Sequence, residues 1–233
     1  MAITKGLASI KRQQAEQRER AEASNRPKAD WFKWPKGVNV ATVRFLQELD
    51  AEMEGYREDR GVGFIATEHQ APGNDGWKRR ALCTIDDGEC YACERHKQDY
   101  KAGWRQRQNL YINALVQFGN DDPRVMIIQR NANSTFTQAL IEEYEDEPSI
   151  TSANYRITRT GEGTQTQWLL KRLKGEPFND GSAEVFDLEQ SAIRNVEYEK
   201  QPEYFAAVLN EDVPTVSTTK SAAPSAAVAD DEW

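Results

Sequence analysis

Polar and apolar residues alternate through Ala41-Thr-Val-Arg-Phe-Leu46, with β-branched residues enriched, and this pattern predicts a strand. Leu110 to Phe118 and Arg124 to Gln129 predict two more. The intervening Gly119-Asn-Asp-Asp-Pro123 is a turn signal that makes them a hairpin. Ala153 to Thr160 and Thr166 to Leu173 flank Gly161-Glu-Gly163 and predict a second hairpin, while Ser134 to Tyr144 reads as a short helix between the two. Phe45, Phe118 and Trp168 fall on these segments as core residues. Nothing repeats, and no β-α-β alternation appears. Five or so strands, one connecting helix and long decorated loops predict a mainly β (α+β) fold, an OB-fold-like, partly open barrel.

The ends of the chain have a different texture. Leu7 to Ala23 holds good helix formers but no apolar stripe at three- and four-residue spacing, so it has no face to bury. Asn25-Arg26-Pro27 ends it, because the residue before proline is pushed out of helical geometry. Thr215 to Asp230 is a Ser/Thr/Ala/Pro run that reads as a flexible linker, and it finishes in Asp230-Asp231-Glu232-Trp233. These textures predict a basic amino-terminal arm over 1–29, a folded core over 30–210 and a flexible acidic tail over 211–233. The four terminal residues read as a tethered peptide for a partner, in which the acids resemble a phosphate backbone and the indole offers one pocket contact.

Charge sharpens this division. The net charge of −8 hides a gradient: residues 1–30 carry seven Lys/Arg against four Asp/Glu, and residues 176–233 carry three against 13. Between Trp77 and Arg130 ten cations face seven acids. Binding responds to local potential, so an acidic total does not exclude a basic groove for nucleic acid. Mean hydropathy is −0.80. No run of about 18 apolar residues is present, which excludes a membrane-spanning helix. The start, Met1 to Leu7, lacks an apolar signal-peptide core, so secretion is not expected.

The candidate chemistry sits in one loop region, about residues 64–104. The three cysteines, Cys83, Cys90 and Cys93, lie within eleven residues, and an odd number is a poor disulfide framework. Cys90-Tyr-Ala-Cys93 places two thiolates on one tight turn, the spacing that a tetrahedral zinc site favours. Asp86-Asp-Gly88 can fold Cys83 back toward them. A fourth, nitrogen ligand would be His69 or His96, the only histidines, and spacing leaves both open. Three thiolates and one imidazole would fill the coordination sphere of one structural Zn²⁺. A redox Cys-x-x-Cys pair is the main chemical rival, but it lacks its usual β-α-β context.

At these residues the chain resembles the zinc-containing single-stranded-DNA-binding proteins of tailed phages, the T-even helix-destabilising type. The matching pieces are Val43-Arg-Phe-Leu46, then His69 followed by Cys83, Cys90 and Cys93, then Trp104-Arg-Gln-Arg-Gln-Asn-Leu-Tyr-Ile-Asn-Ala-Leu-Val116. The likeness covers about residues 31–190, and the tails match in character only. It implies that His69 is the nitrogen ligand, an OB-type core with the zinc loop inserted, and DNA contacts at Arg107 and Tyr111, with Trp104 and Arg105 in the same run. The gap between Cys83 and Cys90 is shorter than the family's, which keeps His96 in competition. The resemblance also implies cooperative, sequence-indifferent coating of single strands during phage DNA replication, recombination and repair. It further implies self-association through the arm, recruitment of replication and recombination proteins through the tail, and a place in the cytoplasm of an infected bacterial host.

A sequence-tolerant binder of single strands needs cations for the phosphates and flat rings for the bases, each stacked base contributing about 1–3 kcal/mol. Residues 77–111 supply both, with Lys78, Arg79, Arg80, Arg105 and Arg107 among the cations and Tyr100, Trp104 and Tyr111 among the rings. Two other classes compete with this non-catalytic reading. A zinc-bearing nuclease would need open coordination positions or a spare histidine base. A protein-interaction adaptor would use zinc structurally and act through its tails.

Overall fold

The computed structural model describes residues 29–73, 76, 79–162 and 165–209, together with positions 6, 7, 11, 14, 17 and 18 of the arm. The expectations for the rest of the arm, for Lys78 and for the tail with Asp230, Asp231, Glu232 and Trp233 lie outside the described residues.

The strands are β1 (Val40–Phe45), β2 (Phe64–Gln70), β3 (Arg80–Leu82), β4 (Gln106–Gln117), β5 (Arg124–Asn131), β6 (Asn154–Thr160) and β7 (Gln167–Arg172). Within residues 29–209 the α-helices are α1 (Tyr91–Gln98), α2 (Thr135–Asp146), α3 (Leu188–Ala192) and α4 (Gln201–Leu209). Both expected hairpins are present, β4 with β5 and β6 with β7, and α2 lies between them. Ser134 starts α2 by accepting a hydrogen bond from the Thr137 N–H at 3.2 Å, which satisfies one of the donors that a helix leaves open at its first turn.

All the pairings named here are antiparallel, in the order β3-β2-β4-β1-β6-β7, with β5 on the other edge of β4. Among the described residues this path does not close on itself, so the partly open barrel expected from the strand count is here an open, branched sheet. The branching comes from β4, whose twelve residues serve three partners. Its first half pairs with β2 and its last residues with β1 on one edge, while β5 runs along the other.

The centre of β4 is buried on both faces, which is why Asn109 to Val116 reads as a nearly continuous buried run. On one face Leu110, Ile112, Ala114 and Val116 pack with Val43, Phe45, Met126, Ile128, Phe136 and Leu140. Phe118 and Trp168 join the same cluster, as expected, and Arg130 lies over the Trp168 ring at 4.2 Å. On the other face Tyr111 packs with Ala66, Ile127, Leu188 and Ile193. That second cover comes from the carboxy-terminal segment, which Asn113 ties down by donating to the Phe186 carbonyl (2.9 Å) and accepting its N–H (3.2 Å).

A charge cluster anchors the same segment. Arg60, whose side chain is 3% exposed, reaches the Asp180 carboxylate at 2.5 Å and its carbonyl at 2.6 Å, and Arg44 meets the other carboxylate oxygen at 2.9 Å. Burial pushes the Asp180 carboxyl up, but the hydrogen bond from Arg60 and the charges of Arg44 and Arg60 outweigh it and hold the group below its ordinary range. Removing the carboxylate leaves a buried guanidinium without its counter-charge. Asp180→Asn should therefore cost about 3 kcal/mol at neutral pH. The sign follows from the lowered pKa: the stabilisation is present above the unfolded-state value and is lost as pH falls through the folded one. The gap between wild type and Asp180→Asn in urea unfolding should close below about pH 4; a gap that stays constant to pH 3 would contradict this role.

Candidate metal centre and the adjoining cationic strand

Four side chains converge at one end of the sheet. His69 is delivered by β2, Cys83 directly follows β3, Cys90 is the extended residue that caps α1, and Cys93 lies on its first turn. The connection from Cys83 to Cys90 reverses through a single turn at Ile85–Asp87, closed by Gly88 at φ 122°, a conformation that favours glycine. Their ligand atoms all lie within 4.8 Å of one another. Cys83 Sγ is 3.6 Å from Cys93 Sγ and 3.9 Å from Cys90 Sγ, and His69 Nε2 is 3.2 Å from Cys93 Sγ. Tetrahedral zinc with bonds of about 2.3 Å to sulfur and about 2.0 Å to nitrogen sets S–S edges near 3.8 Å and N–S edges near 3.5 Å. The observed spacing suits such an ion. No disulfide joins the three cysteines.

The surroundings prepare the donors. His69 Nδ1 lies 3.2 Å from the Trp104 carbonyl, which can only accept, so Nδ1 carries the proton and Nε2 keeps its lone pair toward the sulfurs. Burial raises the Cys90 thiol, but the neighbouring His69 and the backbone N–H groups of Cys93 and Thr84 outweigh it and bring the group down to about 6. Burial and the neighbouring Cys83 and Cys90 sulfurs push Cys93 up to about 12. Three crowded sulfurs cannot all ionise alone; a divalent cation among them removes that conflict. This group could hold a metal ion, and His69 is its nitrogen member. His96, also open from spacing, lies outside the group, on the helix three residues past Cys93.

The module has its own small core. Cys90, Ala92 and Trp104 pack with Tyr204 and Phe205 of α4, the Trp104 and Phe205 rings meeting edge to face at 5.2 Å. Gln201, fully buried, accepts the Tyr91 N–H at 3.0 Å and donates to Thr84 Oγ1 and the Val196 carbonyl at 2.9 Å each. The carboxy-terminal helix thus closes the loop region that carries the ligands. The sequence reading, which ended this module near residue 104, missed α4. The aromatic pair Tyr204-Phe205 just before the low-complexity tail was the available signal.

The expected nucleic-acid residues separate into two groups. Trp104 is 1% exposed and belongs to the core just described, so it offers no stacking surface. Tyr111 is fully buried, its hydroxyl donating to Glu68 at 2.6 Å and accepting from Gln129 at 3.0 Å. Burial and the Glu68 charge hold that hydroxyl above its usual range. Both rings are therefore corrected from stacking to packing: apolar surroundings won over charged sequence neighbours. Arg79 lies over the Tyr204 ring at 5.1 Å, and Arg80 is half-buried with its carbonyl accepting from the Tyr204 hydroxyl.

Tyr100 is 64% exposed, with the Lys101 ammonium 5.6 Å from its ring centre, and Arg105 and Arg107 are exposed. Register divides the run further. Gln106 faces His69 across the β2–β4 ladder and Arg107 faces Glu68, and successive strand residues point to opposite faces. The metal group and Arg107 therefore occupy opposite faces of the sheet. On the Arg107 face the half-buried rings of Phe64 and Trp31 stand 6.0 and 6.3 Å from Tyr111, two aromatics that sequence reasoning did not select.

No protein-family model, curated protein or solved structure matches the chain. No helix among the described residues is long and apolar enough to cross a membrane.

The metal reading predicts about one zinc per chain by plasma mass spectrometry. Stripping it with a strong chelator should lower the melting temperature, since ligand convergence is coupled to folding. Cys93→Ser should purify with much less than one equivalent; full zinc content in Cys93→Ser, or a chelated protein that melts unchanged, would contradict it.

Proposed function

We propose that the protein binds single-stranded DNA without sequence preference and without catalysis, with a structural zinc ion in the His69, Cys83, Cys90, Cys93 group. The observation that carries this reading is the exposed start of β4: Arg105 and Arg107 bracket Gln106 beside the metal group, and among the described residues no carboxylate forms an ion pair with either. Guanidinium groups with no ion-pair partner among the described residues, Arg105 just before β4 and Arg107 on it, can track phosphates, and Tyr100, exposed on the connection into that strand, can take a base on its face. On this reading the sheet is an OB-type core with the metal module inserted between β2 and β4. A sphere of three sulfurs and one nitrogen leaves no position for a catalytic water, which favours binding over hydrolysis.

The same reading assigns the basic arm over 1–29 to contacts between neighbouring molecules on a strand, and the acidic tail over 211–233 to replication and recombination proteins. It places the protein in phage DNA replication, recombination and repair inside a bacterial host.

The test is a fluorescence-anisotropy titration of labelled oligo(dT) and a matched duplex at several salt concentrations, with added Mg²⁺ in a parallel gel assay. The expected result is tight, salt-dependent binding that favours the single strand, with no cleavage. Arg105→Ala and Arg107→Ala should each weaken binding and reduce the salt slope by about 0.7. Equal affinity for duplex, no binding, or strand scission would contradict the proposal.

A further inference from the structure

Three thiolates around a divalent cation give a net negative centre, and the sulfurs then need hydrogen-bond donors outside the coordination sphere. Cys90 has them in the backbone of Cys93 and Thr84. For the other two sulfurs a side chain from β4 does this work. The Gln106 carboxamide nitrogen lies 3.1 Å from Cys83 Sγ and 3.5 Å from Cys93 Sγ. A thiolate only accepts, so the amide must present its NH₂ end, which has two N–H groups to give.

The placement follows from register. Gln106 is the residue directly opposite His69 in the β2–β4 ladder, so the pairing that delivers the imidazole also delivers the carboxamide to the same side of the sheet. We propose that Gln106 is an outer-sphere positioning residue of the metal centre, one that holds Cys83 and Cys93 together and offsets their charge through paired N–H···S bonds. The inference rests on the metal reading of this group. It also gives the first residue of β4 a role distinct from that of Arg105 and Arg107 on either side of it.

Two consequences separate this role from simple surface packing. Losing the donors should weaken metal binding, because outer-sphere partners typically contribute 10–100-fold in affinity. It should also move the sulfur-to-metal charge-transfer absorption to lower energy, because an unbonded thiolate holds its electrons less tightly. Gln106 is solvent-exposed, so the affinity effect should lie near the lower end of that range.

The experiment uses the full chain, stripped of metal under reducing conditions and titrated with Co²⁺ against a competing chromophoric chelator. Gln106→Ala should bind Co²⁺ about ten-fold more weakly than wild type, with a red-shifted charge-transfer band. Gln106→Glu keeps the shape but replaces the donor by an acceptor, so it should weaken binding at least as much. Gln108→Ala, two residues on along the same strand face and also exposed, should match wild type. Affinity within about two-fold of wild type for Gln106→Ala with a superimposable band, or wild-type behaviour of Gln106→Glu, would overturn the proposal while leaving the metal centre standing. Failure of wild type itself to bind Co²⁺ would overturn the metal reading, and this inference with it.

Discussion

The structure turns on the meeting of three sulfurs and one imidazole that come from three separate places in the chain: β2, the end of β3 and the start of α1. Among the described residues of 71–104 the longest regular elements are a three-residue strand and an eight-residue helix of low apolar content, and neither is stable alone. What orders them is convergence on a common point. Crowded thiolates repel one another and resist ionisation, so the same convergence that would be unfavourable without a cation becomes stabilising around one. The supporting contacts agree with that demand. The Trp104 carbonyl fixes the imidazole, backbone N–H groups serve Cys90, and Gln201 stitches the loop to α4.

The way β4 is used explains how this module is joined to the rest. Its central residues are buried by two different layers, one built from α2 and the β6–β7 hairpin, the other from the carboxy-terminal segment held by Asn113 and Asp180. Its first residues project beyond those layers. There a single strand carries Gln106, which faces the His69 side, and Arg107 of the opposite face, one peptide apart. A nucleic-acid strand bound at Arg105 and Arg107 would therefore lie against the same rigid element that helps to fix the metal group.

Much of the sheet was legible because alternation over six to eight residues and a strong turn signal are local. β1, the two hairpins and α2 follow from such patterns, and Phe45, Phe118 and Trp168 are core because they sit on the apolar phase. The cysteine trio was legible because thiolate spacing is local too, whereas choosing between His69 and His96 from spacing required knowing that β2 pairs with β3, which ends beside Cys83. Tyr111 shows the opposite failure. Its charged sequence neighbours suggested an exposed ring, but strand phase turns it inward against Glu68, a partner 43 residues away. Trp104 failed for the same reason, since its partner Phe205 comes from a helix about a hundred residues later. A partly open barrel was likewise expected from strand number, while the actual path depends on edge pairing that no local pattern encodes.

The central claim is that one metal ion sits in a sphere of three sulfurs and one imidazole nitrogen. X-ray absorption at the zinc edge of the purified full chain tests it most directly. The account predicts a four-coordinate first shell with about three sulfurs near 2.3 Å and about one nitrogen near 2.0 Å, together with the outer-shell scattering of a single imidazole. A shell made of oxygen and nitrogen, or one with two histidines and fewer than three sulfurs, would contradict it.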